Sequence, residues 1–440
     1  MSAILHRDLR AALPVASRGD GAWIELSDGS RVLDACGGAA VSCLGHSDPR
    51  PARAVAEQLD RLAFTHSSFF TSEPAEALAE RLVSRSPAGA GRAMILGSGS
   101  EAMEAALKLA RQVAVERGEP ARDRVVAREG SYHGNTLGAL AVGGHAGRRA
   151  PYDPLLMTVA HAPACHAYRG RRDGKTEADW STRLLAETEA VIASQGEGRV
   201  MALVLEPVGG ATLGTPVPPP GHLAGLRAIC DRHGVLMIAD EVMCGMGRTG
   251  TLYALEQEGV AADIVTVAKG LGAGIQPIAA VIAGPAVVDA IEAGSGRLWN
   301  GHTYMGHAAA CAGALAVLDA IDEDGLLERV RLLGDRLRAG LERAFGQHPR
   351  VGDVRGRGLF QTVEIVADRA TKAPFPAARG IAPEIKRLAL EEGLMCYPAQ
   401  GCADGTNGDH VLLAPPFICS EAEIDEAVSR LARAVERALA

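Results

Sequence analysis

The chain has 440 residues, 47% of them hydrophobic and 22% charged, with a formal net charge of −8. That length and apolar content suit two or three domains, or one large domain with a smaller one. No basic block argues for a nucleic-acid partner, and the nine scattered cysteines form no C-x-x-C pair or zinc spacing, so they read as reduced thiols without a metal site.

The opening M-S-A-I-L-H-R-D-L-R lacks the apolar run of a secretory signal, and Asp8 and Asp20 argue against a transit peptide, so a cytoplasmic protein is expected. Residues 21–36 read as a β-hairpin turning at Asp28-Gly29. Helices are expected at 52–62 and 76–83. Between them, F-T-H-S-S-F-F at 64–70 reads as a core plug or a pocket wall.

A short apolar run at 93–96 ends in G-S-G-S-E, and a helix follows from about Glu101 to Glu116. Met103, Leu107, Ala110 and Ala114 share one face of it. Ser98 and Glu101 fit a capping box. An ordinary capped helix is the plain reading. The functional one is an anion cradle, with glycines allowing close approach and free N–H groups at the helix start. A helix end offers an anion only about 0.3–1 kcal/mol, so several donors must converge.

Further strands are expected at 124–127, 200–205 and 235–239, and helices at 182–194 and 223–233. Residues 162–175 are irregular, with Tyr168, Arg169, Arg171, Arg172 and Lys175, and read as a solvated loop. The run D-I-V-T-V-A-K-G at 263–270 is a buried strand ending at Lys269. Residues 270–288 hold no charge, but Gln276, Pro277, Pro285 and several glycines make them a turn, a buried strand and a turn, not a membrane span. From 308 onward come two long helices, a strand pair or one bent strand at 354–366, a helix at 381–392, a strand at 411–413 and a closing helix at 421–440.

Strands alternating with helices predict a parallel, doubly wound α/β sheet, followed by a smaller α+β module that the N-terminal hairpin joins. The expected divisions are 1–50, 51–315 and 316–440. Glu206, Asp240 and Lys269 each close a strand, and Ser98 and Tyr132 follow strand ends. In open α/β sheets that edge holds the ligand. The glycines of G-M-G-R-T-G at 245–250 match a dinucleotide fingerprint, but they begin five residues past Asp240, and the next strand ends in Lys269, not in an acid. A nicotinamide site is therefore discounted.

A lysine, a strand-end aspartate, an anion cradle and a flat aromatic together suit pyridoxal phosphate. The lysine forms a Schiff base with its aldehyde, and the aspartate keeps its ring nitrogen protonated. To attack as a neutral amine, the lysine must titrate below its usual ~10.4, which burial can produce.

Here the sequence resembles a known family. G-S-G-S-E-A at 97–102, S-Y-H-G at 131–134, E-P-V at 206–208, D-E-V-x-x-G-x-G-R-T-G at 240–250, A-K-G-L at 268–271 and G-H-T-Y at 301–304 look like class III pyridoxal-phosphate aminotransferases. So do V-R-G-R-G-L at 354–359 and A-P-P-F-I at 414–418. The resemblance implies a fold-type-I homodimer, or a tetramer, with shared active sites. It makes Lys269 the catalytic Schiff-base lysine and Asp240 the pyridine partner. Tyr132 and Val242 would face the two sides of the ring. Ser98, Gly99 and Ser100 would hold the phosphate, with Thr303 reaching it from the partner subunit. Glu206 and His133 would support the ring and Asp240.

The sequence departs from the family at the substrate. Many members place a glutamate shortly after E-P, paired with an arginine of the C-terminal module. Here Ala211 stands near that place, and 397–410 holds no arginine. Arg169 and Arg297 are candidates for the acceptor carboxylate. Phe69 is a candidate pocket wall. Ala39 and Ala40, where relatives carry a bulky aromatic, suggest a roomier pocket.

The expected activity is transfer of an amino group from an ω-amino acid or amine to pyruvate or 2-oxoglutarate. An aminomutase, racemase or decarboxylase on the same scaffold is the alternative, and a non-catalytic binding protein the distant one.

Overall fold

The apolar runs that close in Glu206, Asp240 and Lys269 are adjacent strands of one sheet. In the structure, a computed structural model describing residues 3–440, this sheet has seven strands. Their order is Arg92–Leu96, Ala279–Ala283, Ile264–Val267, Leu236–Asp240, Val200–Leu205, Arg124–Arg128 and Ala160–Ala162. The last five run parallel. Ala279–Ala283 is antiparallel to both neighbours. Only a short, turn-rich segment separates it from Ile264–Val267. Without a crossover helix the chain can only double back.

Both faces of the sheet are covered. Helix Gly99–Glu116 packs Met103, Leu107, Ala110 and Val113 on one face. Helices Glu73–Ser84, His222–His233 and Ala308–Glu323 pack on the other. Strands covered twice must be apolar throughout, and Val200–Leu205 is buried at every residue. The fold is thus the expected α/β sheet, doubly wound and mostly parallel.

The C-terminal part forms an antiparallel sheet in the order Val351–Gly356, Gln361–Ile365, Asp409–Leu413, Tyr397–Gln400. The segment read as a strand pair or one bent strand is therefore a pair. The N-terminal hairpin, Trp23–Leu26 with Arg31–Asp34, gains Ala16–Asp20 on one side. On the other it pairs with Leu394–Met395.

Some elements escaped the sequence reading. Ala160–Ala162 is a three-residue edge strand, too short for an alternation to show. Helix Pro285–Ala293 stands where the sequence predicts only a turn, its first-turn proline being a helix-start signal. The aromatic run is a correction: Phe69 and Phe70 are 76% and 67% exposed and plug no core. Among the described residues no helix is long and apolar enough to cross a membrane.

Candidate active site

Lys269 sits just past Ile264–Val267 with φ +47°, a left-handed conformation that costs a non-glycine residue energy and recurs at functional sites. Its side chain lines a cavity of about 290 Å³ at the carboxyl edge of the sheet. Ser98, Gly99, Ser100, Tyr132, His133, Glu206, Asp240 and Val242 line the same cavity. Residues spread over 171 positions of sequence thus converge because each follows a strand ending at this edge. Burial lowers the Lys269 pKa, while Asp240 and Glu206 oppose the shift by attracting its charged form.

Asp240 ends the strand Leu236–Asp240 and is buried. Its Oδ2 lies 2.8 Å from His133 Nδ1. Its Oδ1 accepts from the Val242 backbone N–H at 3.0 Å and from the Thr266 hydroxyl at 3.4 Å. The carboxylate is therefore fixed from three sides. His133 is 3% exposed, and its Nε2 has no hydrogen-bond partner in the protein.

Glu206 lies in the same wall. Burial raises its pKa, and its Oε1 accepts from the Gly210 N–H at 2.8 Å. The Arg128 guanidinium donates to its backbone carbonyl.

The expected anion cradle lies at the start of Gly99–Glu116, which lines the cavity. Ser98 caps this helix, its hydroxyl accepting from the Glu101 N–H at 3.3 Å. The reciprocal half of the expected capping box differs. Glu101 Oε2 reaches one residue further back and accepts from the Gly97 N–H at 2.8 Å. Ser100 Oγ accepts from the Asn135 N–H at 3.0 Å, tying the cradle to the S-Y-H-G turn. A Cβ on Gly99 would lie 2.9 Å from Val242 Cγ1, so only glycine fits there without displacing Val242.

Other expected residues lie elsewhere. Ala40 is 3% exposed and packs with Val208, Ala211 and Phe360, because the left-handed turns at Gly37, Gly38 and Ala40 bring it inward. The cavity wall is its neighbour Val41. Arg169 is taken by the buried Glu364, with Nε to Oε1 at 2.6 Å, and lines a separate cavity. Arg297 is exposed, and its carbonyl accepts from Gln112 Nε2 at 2.6 Å, away from the site. Phe69 lies on the surface against His66, their ring centroids 5.7 Å apart. Thr303 lines an adjoining cavity that shares Gly97, Gln276, Pro277 and Ile278 with the site.

Val208, Met243, Gln276, Pro277 and Ile278 also line the site and were missed. They lie in turns, where no periodicity marks them. Gly245–Gly250 forms turns and opens no helix. Gly247 and Gly250 have φ of +91° and +97°, and Arg248 between them is fully buried. The dinucleotide reading fails on geometry.

A buried amine, a pinned carboxylate, an aromatic wall and a glycine-lined helix start match an aldehyde, a ring nitrogen, a flat ring and a phosphate in turn. The site therefore fits pyridoxal phosphate on its own donor set.

Comparison with known proteins agrees. The class III aminotransferase family matches residues 5–435. An uncharacterized aminotransferase of Schizosaccharomyces pombe is 42% identical over 428 residues, covering 97% of this chain and 93% of the relative. An (S)-enantioselective ω-transaminase from Thermomicrobium roseum superposes with a TM-score of 0.91 at 33% identity, covering 98% and 94% of the two chains. The ω-transaminase of Pseudomonas jessenii in complex with PMP gives 0.90 at 32% identity, covering 97% and 93%. The chain is a fold-type-I enzyme whose cofactor is pyridoxal 5′-phosphate, and it belongs to the class III aminotransferases.

Proposed function

We propose that the enzyme transfers an amino group from an ω-amino acid or amine to a 2-keto acid, pyruvate or 2-oxoglutarate. The observation that carries this is one cavity holding both the Lys269 amine and the His133–Asp240 pair. When bound, the cofactor supplies an aldehyde and an electron-accepting ring.

The chain's own groups do the rest. Ser98, Gly99, Ser100 and the helix start behind them hold the phosphate. Asp240, fixed by its three hydrogen-bond partners, would face the ring nitrogen and hold a proton there. His133 positions Asp240. Tyr132 and Val242, both cavity wall, would flank the ring. Lys269, whose pKa burial lowers, would take the proton from the donor carbon and return it to the carbon on the other side of the transferred nitrogen. Reversed in the second half-reaction, the same transfer loads the acceptor.

A homodimer in the cytoplasm is part of this reading. Phe69, Phe70 and Tyr304 are large and exposed, and Phe64 packs edge-on against Tyr304 with centroids 5.8 Å apart. A second copy would cover such a patch. Thr303, next to Tyr304, would then reach the second copy's cradle. The enzyme is tested with a panel of ω-amino acids and amines against both keto acids, following the amino acid formed. Product with one pair supports the reading. Absence of amino transfer with every pair, in protein that retains its cofactor, defeats it.

A further inference from the structure

The cavity leaves one requirement of that reading unmet. A keto acid carries a carboxylate, and Lys269 is the only Lys or Arg among the described cavity-lining residues. Glu206 and Asp240 already place two carboxyl groups beside it, so a third anion needs a cation on the outer side. Arg169 and Arg297 are placed elsewhere, as described above.

Arg148 is suitably placed. It stands in the short helix Ala146–Arg149, and its guanidinium carbon lies 5.0 Å from the centroid of the Tyr132 ring. Tyr132 is itself cavity wall, so this cation is one aromatic ring away from the reacting space. The next residue is a contrast. Arg149 is engaged with His161 Nδ1 at 3.4 Å and with Asp153 at 4.0 Å. Among the described residues no carboxylate or carbonyl accepts from the Arg148 side chain, which is exposed. A guanidinium stacked on a ring keeps its N–H edge free, and that edge matches a carboxylate in two parallel hydrogen bonds. Burial raises the Tyr132 pKa, and the nearby Arg148 opposes that rise.

We propose that Arg148 is a specificity-determining residue that holds the carboxylate of the acceptor keto acid at the mouth of the cavity. This rests on the keto-acid reading above. It explains how the acceptor carboxylate is bound although residues 397–410 hold no arginine.

The test compares holoenzyme of wild type, Arg148→Met and Arg148→Lys. Each is assayed with pyruvate and with butanal, an acceptor without a carboxylate. Binding of propanoate, an unreactive carboxylate, is measured by calorimetry. Arg148→Met should raise the pyruvate KM and the propanoate Kd by about tenfold to a hundredfold, with the butanal KM and kcat held within about twofold. Arg148→Lys should recover part of the loss. An unchanged pyruvate KM overturns the proposal. Equal losses with both acceptors also overturn it, because Arg148 would then only brace Tyr132. If wild type aminates no keto acid, the functional reading fails separately, and propanoate binding still decides the role of Arg148.

Discussion

His133 Nδ1 lies 2.8 Å from Asp240 Oδ2, and both side chains are buried. A buried carboxylate held by His133, the Val242 N–H and the Thr266 hydroxyl cannot rotate freely. Asp240→Asn should keep the fold, read by circular dichroism, but lower kcat by about 10²–10⁴-fold. His133→Ala leaves the carboxylate and two of its donors, so its loss should be much smaller. Equal losses from the two substitutions would contradict the assigned roles.

Gly99 approaches Val242 too closely for a side chain, with 2.9 Å between an added Cβ and Val242 Cγ1. Gly99→Ala forces one wall of the cofactor site to move. Overpacking of this kind costs about 1–3 kcal/mol, or roughly tenfold to a hundredfold in cofactor affinity. Titrating apoenzyme with pyridoxal phosphate measures it. An unchanged affinity would mean that Val242 does not bound the ring.

Arg248 is fully buried between the large sheet and the C-terminal part. Its Nη1 donates to the carbonyls of Leu359 at 3.0 Å and Pro415 at 2.6 Å, and its guanidinium lies 4.6 Å over Phe417. Arg248→Ala strips both carbonyls of a charged donor and opens a void, so it should destabilise the protein by about 3 kcal/mol or more. The midpoint of chemical denaturation reads this directly.

Asp409 gives a pH signature. Burial pushes it up to about 6, against a bond from the Ala382 N–H at 3.1 Å, and its Oδ2 has no partner. The folded state therefore binds this proton more tightly than the unfolded chain, whose value is near 3.8. The stability this contributes is full below the unfolded value and is lost as pH rises through about 6. Asp409→Asn keeps the acceptor for Ala382 and removes the titration. The variant should gain in Tm over wild type at pH 8 and gain little at pH 4. A difference independent of pH would contradict this.

The sheet and the strand-end residues that line the cavity were legible because both depend on local order. Val200–Leu205 is uniformly apolar because it is covered twice, and Glu206 follows where the covering ends. The same rule located Asp240, Lys269, Ser98 and Tyr132. The substrate side was not legible. Arg169 looked free, but Glu364, 195 positions later, claims it. Ala40 is expected to widen the pocket, but left-handed turns place Val41 in the wall instead. Arg148 is one of two adjacent arginines in a short helix. Only the fold shows that Arg149 is engaged and Arg148 is not.

The central claim is the bond between Lys269 and the cofactor. Borohydride reduction of the holoenzyme, followed by peptide mapping with mass spectrometry, tests it most directly. The account predicts one pyridoxyl adduct, on the peptide containing Lys269, with activity lost in proportion. An adduct on Lys108, Lys175, Lys372 or Lys386 instead, or full activity after Lys269→Ala, would contradict it.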